Sequence, residues 1–193
     1  MSGILLRVQN IFPLMVRDIP QIINIGGQSN LSKWTYADYA DEVKRRDSIS
    51  LAYKSNVDAV SLPDRENISG FIVSRLIMPM NSINKKYDSD DFQHTGECEI
   101  LNIAVHPAFR RNGIGRKLFE ATVEKCLSQN VESIWLEVRK NNDEAVSFYK
   151  KNGFEVIYTR KDYYQNPVDD ALVMKAALQC SSLSNSSKLG RLT

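Results

Sequence analysis

Apolar positions fall into short runs parted by polar stretches, and the spacing within each run separates strands from helices. Residues 5–8 and 12–16 are brief apolar runs suited to an opening strand. Asp18 stands as an N-cap, with Pro20 in the first turn of a helix through Ile22 and Ile23 that Gly26-Gly27 ends. Tyr36, Tyr39, Ala40 and Val43 repeat at helical spacing behind Thr35 and Asp38, which have the form of a capping box. Residues 49–53 and 68–78 read as strands, and 100–105 as a buried strand, apolar except for Asn102 and stopped by Pro107. Phe119, Val123, Cys126 and Leu127 share one face of a following helix.

Ile134, Leu136 and Val138 alternate with Trp135, Glu137 and Arg139, which predicts a strand with two unlike faces. Asn142 then caps a helix striped by Ala145, Phe148 and Tyr149. Asp143 and Glu144 sit at its positive end, Lys150 and Lys151 at its negative end, and Gly153 is its stop. Residues 154–159 read as a strand, 161–170 as a loop and 171–177 as the last strand. The order is strand, two helices, three strands, helix, strand, helix, two strands: an α/β plan with a mixed central sheet flanked by helices. The polar stretches 56–67 and 79–96 read as long loops, and residues 179–193 as a disordered tail behind a domain of residues 1–178.

Composition narrows the class without naming it. A chain of 193 residues with 42% apolar and 25% charged residues is ordinary for one globular domain. A net charge of +2 argues against a nucleic-acid or anionic-membrane partner. No apolar run is long enough for a membrane span, and residues 1–7 do not have the form of a secretory signal. Cys98, Cys126 and Cys180 are odd in number and widely spaced, which suggests neither a disulfide framework nor a zinc site; a reducing cytoplasm is the expectation.

The chemistry concentrates where the strand at 100–105 gives way to a helix. The turn between them carries Arg110, Arg111, Asn112, Gly113, Ile114, Gly115, Arg116 and Lys117. Free backbone N–H groups at a helix start, with the helix dipole behind them, attract an anion, and arginines suit phosphate. A P-loop would require Ser or Thr after Gly-Lys, and a dinucleotide fingerprint a third glycine where Leu118 stands; both patterns fail.

Arg110, Gly113 and Gly115 resemble the R-x-x-G-x-G acetyl-CoA motif of the GNAT acetyltransferase superfamily. The run from Trp135-Leu136-Glu137-Val138-Arg139 through Asn142, Ala145 and Tyr149 to Gly153-Phe154 resembles the ribosomal-protein-alanine N-acetyltransferases of that superfamily. Asp162-Tyr163-Tyr164 and Asp169-Asp170-Ala171 through Met174 resemble the elements that close their domain. Leu31 to Tyr36 resembles an early segment of theirs, with Lys33 in place of the usual proline.

The resemblance implies the GNAT acyl-CoA N-acyltransferase fold, acetyl-CoA as cosubstrate without a metal, and a protein N-terminus as acceptor, with ribosomal protein as the type substrate. It implies Glu137 as general base and Tyr149 as general acid. The backbone of Ile103, Ala104 and Val105 would pair with the pantetheine arm, the turn from Arg110 to Arg116 would hold the pyrophosphate, and Asn142 would be a further CoA contact. Trp34, Tyr163 and Tyr164 belong to segments that line the peptide groove in relatives; on a regular strand, adjacent tyrosines would face opposite ways. Two alternatives remain beside this reading: a lysine side chain or small amine as acceptor, and a CoA-binding module without catalysis.

Overall fold

The computed structural model describes residues 10–29, 31, 33–55, 67–78 and 95–178. The apolar run at 5–8, residues 56–66 and 79–94 of the two polar stretches, His94 and the 179–193 tail with Cys180 lie outside the described residues. Seven strands form one mixed sheet: β1 (Ile11–Pro13), β2 (Ser48–Ser55), β3 (Asn67–Ile77), β4 (Gly96–Val105), β5 (Val131–Arg139), β6 (Glu155–Gln165) and β7 (Val168–Ala177). Their order is β1-β2-β3-β4-β5-β7-β6. Among the described residues four α-helices flank the sheet: α1 (Ile19–Gly27), α2 (Tyr36–Lys44), α3 (Ile114–Ser128) and α4 (Asp143–Lys151). The expected α/β class, mixed sheet and element order are therefore present. The chain divides into two compact units, Met1–Arg75 with Leu101–Lys125 and Leu76–Ile100 with Cys126–Thr193, and the division passes through β4 and α3.

In the first unit, Ile19, Ile22 and Ile25 of α1 and Tyr39 and Ala40 of α2 bury against Ala52, Ile68, Phe71, Val73 and Ala104 of the strands. Tyr39 holds this core together by meeting Trp34 on one side, centroids 5.0 Å apart, and Phe71 edge-on at 5.9 Å on the other. The Thr35–Asp38 capping box forms as expected: Asp38 N–H donates to Thr35 Oγ1 and Thr35 N–H to Asp38 Oδ2. Asp18 departs from its expected part. Its carboxylate accepts from Met15 N–H at 2.9 Å, closing the 3-10 turn before α1, and makes no side-chain cap on α1 itself. Glu42, 2% exposed, is stabilised in this apolar setting by the Arg75 guanidinium.

Helix α3 lies close on β3 and β4 because Gly70 has no side chain. A Cβ there would stand 3.0 Å from both the Ala104 carbonyl oxygen and Ile114 Cγ2. No periodicity argument singles out this glycine, yet it sets how near the helix N-terminus comes to the strand.

In the second unit, β5 pairs parallel with β4 from Gly96↔Val131 to Ile100↔Leu136, and antiparallel with β7 from Ser133↔Ala177 to Arg139↔Ala171. The predicted alternation of β5 is realised: Ile134, Leu136 and Val138 are buried, while Trp135, Glu137 and Arg139 are half-exposed. Asn142 caps α4, its Oδ1 accepting from Ala145 N–H at 3.2 Å. Gly153 ends the segment in the left-handed region at φ +83°. Cys98 and Cys126 are both fully buried core residues.

The expected loop at 161–170 is not a loop. Strand β6 runs on to Gln165 and β7 begins at Val168, so the segment is a hairpin with its turn at Asn166-Pro167. Nearly every residue of β6, an edge strand, is exposed; Val156, Ile157 and Tyr158 still mark its first half, as expected, while the polar run Arg160-Lys161-Asp162 hides its continuation.

Candidate active site

The residues expected to bind and react divide between the two units. In the first, β4 leads through a 3-10 turn (Pro107–Phe109) into the turn that starts α3. His106 has a structural part here, its Nδ1 accepting from Ala108 N–H at 3.2 Å. Arg111 and Gly113 adopt left-handed conformations at φ 64° and 73°, and the space a Gly113 side chain would enter is open. The first bond of α3 runs from Lys117 N–H to the Gly113 carbonyl. The N–H groups of Ile114, Gly115 and Arg116 precede it and have no acceptor within the helix. Three donors at the positive end of a 15-residue helix fit a pyrophosphate.

The side chains of this turn are largely committed elsewhere. Ile114 is buried in the core, so only its backbone can serve a ligand. Asn112 donates to the Phe109 carbonyl at 3.3 Å, and Arg116 pairs with Glu120 at 2.8 Å along the helix surface. Arg110 donates through Nε to the Val105 carbonyl and through Nη2 to Gln28 O and Ser29 Oγ, all at 3.2 Å.

On β4 itself, His106 N–H donates to the Ser69 carbonyl of β3. The two-residue period of a strand then turns the even-numbered backbone groups toward β3 and those of Ile103 and Val105 toward the opposite edge. Asn102, the polar exception of this strand, is 3% exposed, and its Nδ2 has no hydrogen-bond partner among the described residues.

In the second unit, Glu137 faces a cation and two phenols. Arg160 Nη1 lies 2.8 Å from Glu137 Oε1, and the carboxylate remains 22% exposed. The hydrogen bond to Glu137, followed by burial, raises the Tyr163 hydroxyl above its ordinary pKa. Burial, with the Glu137 charge next, pushes Tyr164 up to about 12. Tyr163 thus engages the carboxylate directly, while Tyr164, its neighbour, feels the carboxylate's charge from within a more buried setting. The strand is irregular here: Asp162 is left-handed at φ 49°, and the β6–β7 register shifts between Arg160 and Tyr164. The two rings meet edge-on at 5.1 Å.

Arg139 lies over the Tyr164 ring at 4.1 Å and donates to the Pro167 and Asn166 carbonyls, so it braces the hairpin turn. Arg139 belongs to the motif run on β5, whereas nothing in the sequence pattern points to Arg160.

Tyr149 is buried between Phe148 and Phe154, at 5.4 and 5.5 Å, and burial lifts its hydroxyl well above the ordinary tyrosine range, so it stays protonated at neutral pH. Asn142 is occupied as the α4 cap. Trp34, half-buried, packs on the first unit's core through Tyr39. Among the described residues no group of three or more His, Cys, Asp or Glu side chains is placed to hold a metal ion. No described helix is long and apolar enough to cross a membrane.

A strand, a left-handed glycine turn and a helix with open donors recur in a known family, and the sequence profile of the acetyltransferase (GNAT) family matches residues 25–154. The chain belongs to the acetyltransferase (GNAT) family. Within it, the chain is 38% identical over 80 residues to the [ribosomal protein bS18]-alanine N-acetyltransferase of Salmonella typhimurium, a match covering 40% of this chain and 54% of that one. The chain thus spans about half the length of the curated relatives it matches. Among solved structures, Ard1 from Thermoplasma volcanium is 30% identical with a TM-score of 0.68, over 88% of this chain and 97% of that one. Arabidopsis thaliana NAA60, solved in complex with acetyl-CoA, is 18% identical and shares the fold with a TM-score of 0.72, over 87% of this chain and 97% of that one.

Proposed function

We propose that this protein transfers the acetyl group of acetyl-CoA to the α-amine of a protein N-terminus, with ribosomal protein as the acceptor class and the cytoplasm as the setting. The observation that carries the reading is the start of α3, where the N–H groups of Ile114, Gly115 and Arg116 stand without helical acceptors behind the left-handed turn at Gly113. That donor set suits a pyrophosphate, and the backbone groups of Ile103 and Val105 suit the amides of a pantetheine arm, which would lie along β4 like an added strand. The N-terminal acceptor is carried over from the relatives, whose names specify alanine N-acetylation of a ribosomal protein.

Bound acetyl-CoA supplies an activated acyl group as a thioester. Glu137 takes the proton that the attacking amine must lose, directly or through a water. Arg160 and Tyr163, both on its carboxylate, orient it for that task. Tyr149, held neutral by burial, donates a proton toward the departing sulfur. A backbone N–H of β4 steadies the charge that develops on the carbonyl oxygen. An α-amine asks little of such a base. Its pKa is roughly 7.7–8.0, so at pH 7.5 roughly a quarter to a third is already neutral, against about a thousandth of a lysine side chain near 10.4.

Two peptides of one sequence test the acceptor: one with a free N-terminus and its lysine replaced by arginine, the other N-terminally blocked with one lysine. A kcat/KM at least about a hundredfold higher for the first is expected from the difference in neutral amine. Equal values would move the acceptor to lysine, and CoA binding without turnover on either would leave a binding module.

A further inference from the structure

The Glu137–Arg160 pair joins strands that are not neighbours. Glu137 lies on β5 and Arg160 on β6, and β7 runs between them. Across the sheet the rows are Glu137–Val173–Tyr158 and Arg139–Ala171–Arg160, so the pair is a diagonal, two strands over and two residues along. Two strand spacings alone span roughly 9–10 Å, and side chains on a sheet ordinarily stand up from it. To meet at 2.8 Å, these two side chains must instead lean toward each other over β7. The residue of β7 in Arg160's own row is Ala171, fully buried and carrying only a methyl group, which leaves the path low enough to cross. An exposed ion pair holds a long side chain weakly, because ordering the chain offsets most of the Coulomb gain. Arg160, 45% exposed, has further partners on its own strand. Its Nη2 donates to the Tyr158 hydroxyl at 3.1 Å, and the guanidinium lies 5.7 Å from the Tyr158 ring and 5.4 Å from the Tyr163 ring.

We infer that Tyr158 is a positioning residue for Glu137: it holds the Arg160 guanidinium in its extended path over Ala171, so that a side chain of the outermost strand stays on a carboxylate two strands away. Tyr158 is two residues before Arg160, on the same face of β6, and touches the guanidinium by both ring and hydroxyl. It is itself exposed, so its part is played toward Arg160 more than toward the core. Without it, the guanidinium on an edge strand has open water to one side and the ion pair alone to draw it inward. Glu137 would then keep the Tyr163 hydroxyl but lose, for part of the time, the donor on its Oε1. This inference rests on the proposed acetyl transfer, which gives Glu137 its role as base; the arm from Tyr158 through Arg160 to Glu137 exists whatever Glu137 does.

Tyr158→Phe, which keeps the ring, Tyr158→Ala, which removes ring and hydroxyl, Arg160→Met and the double variant Tyr158→Ala/Arg160→Met form the test. Two kinds of quantity are read: kcat and KM for a peptide with a free N-terminal alanine, and the NMR signals of the Arg160 Nη protons, which separate when a paired guanidinium rotates slowly. Arg160→Met should lower kcat about tenfold, Tyr158→Ala nearly as much and Tyr158→Phe about threefold, with peptide KM and the Kd for CoA within about twofold in all three. The double variant should be no slower than Arg160→Met, because Tyr158 acts only through Arg160. The Nη signals should average together in Tyr158→Ala, as in Glu137→Gln, and partly so in Tyr158→Phe. Losses that multiply in the double variant, or Nη signals unchanged in Tyr158→Ala, would overturn the inference. A wild-type protein that binds CoA but acetylates no peptide would instead overturn the proposed function, while the Nη signals would still report whether Tyr158 holds Arg160 on Glu137.

Discussion

The start of α3 and the β5–β6–β7 cluster present different kinds of polar group. At the start of α3 the donors are backbone N–H groups, and the side chains around them face other tasks: Ile114 in the core, Asn112 on the Phe109 carbonyl, Arg116 on Glu120. Around Glu137 the backbone is spent in the β-ladder, and the chemistry belongs to side chains: a carboxylate, a guanidinium and two phenols. A backbone site tolerates changes of side chain and fails when the chain direction changes. A side-chain site does the opposite. The contrast explains why an anion turn can be recognised by glycines, whereas a catalytic carboxylate is recognised only by its company.

The contrast can be broken most directly at Glu137. Glu137→Gln should lower kcat by about 10²-fold or more, the scale of general-base loss, with CoA affinity nearly unchanged. The deficit should shrink as pH rises from 7 to 9, because the α-amine then loses its proton unaided. A pH–rate profile parallel to wild type would remove Glu137 from proton transfer.

The turn should show the converse. Gly113→Ala places a side chain at φ 73°, a conformation that costs an L-residue roughly 1–2 kcal/mol. If the turn relaxes to escape that strain, CoA affinity should fall about five- to tenfold in a calorimetric titration. Gly113→Asn, which tolerates the left-handed region, should lose less. Arg116→Ala, which removes a charge already paired with Glu120, should lose less still, about twofold. An Arg116 effect larger than that of Gly113 would mean that side chains, not the backbone, hold the anion.

The smallest effect concerns the brace of the β6–β7 hairpin. Asp170 accepts from Lys161 Nζ at 2.9 Å and from Asp162 N–H at 3.2 Å, and these bonds hold its carboxyl down to about 2. A pKa lowered in the folded state stabilises above the unfolded value, near 3.9, and the benefit disappears as pH falls toward 2. Wild type should therefore melt slightly above Asp170→Asn at neutral pH, and the two melting curves should converge between pH 4 and 2. A gap that persists at pH 2 would exclude the charge as its source.

Legibility in the sequence followed burial. Strand β5 and helix α4 could be read because one face of each is buried: Ile134, Leu136 and Val138 in the strand, Tyr149 with half-buried Phe148 and Ala145 in the helix. Strand β6 is an exception: both halves are exposed, but Val156, Ile157 and Tyr158 mark the first half as a strand, whereas Arg160, Lys161 and Asp162 open the second without an apolar residue. With it went Arg160, the partner of Glu137, and the register shift just before Tyr164. Gly70 escaped notice because its importance lies in what approaches it from another element. Arg110 was noticed for its motif, but which way a guanidinium turns depends on acceptors some eighty residues distant. Local chemistry predicted the elements and the candidate residues; long-range pairing decided which of them are engaged with each other.

The buried pair Cys98 and Cys126 has a practical consequence. The contact with Cys98, and burial after it, push the Cys126 thiol far above its ordinary pKa, and neither sulfur reaches solvent. Alkylating reagents attack thiolates, so in the closed fold both residues are protected twice over, by access and by ionisation. Modification must wait for an opening that separates the start of β4 from the end of α3. In a Cys180→Ser background, the rate at which a maleimide consumes these two thiols is therefore a clock for that opening, native to the chain and requiring no added dye.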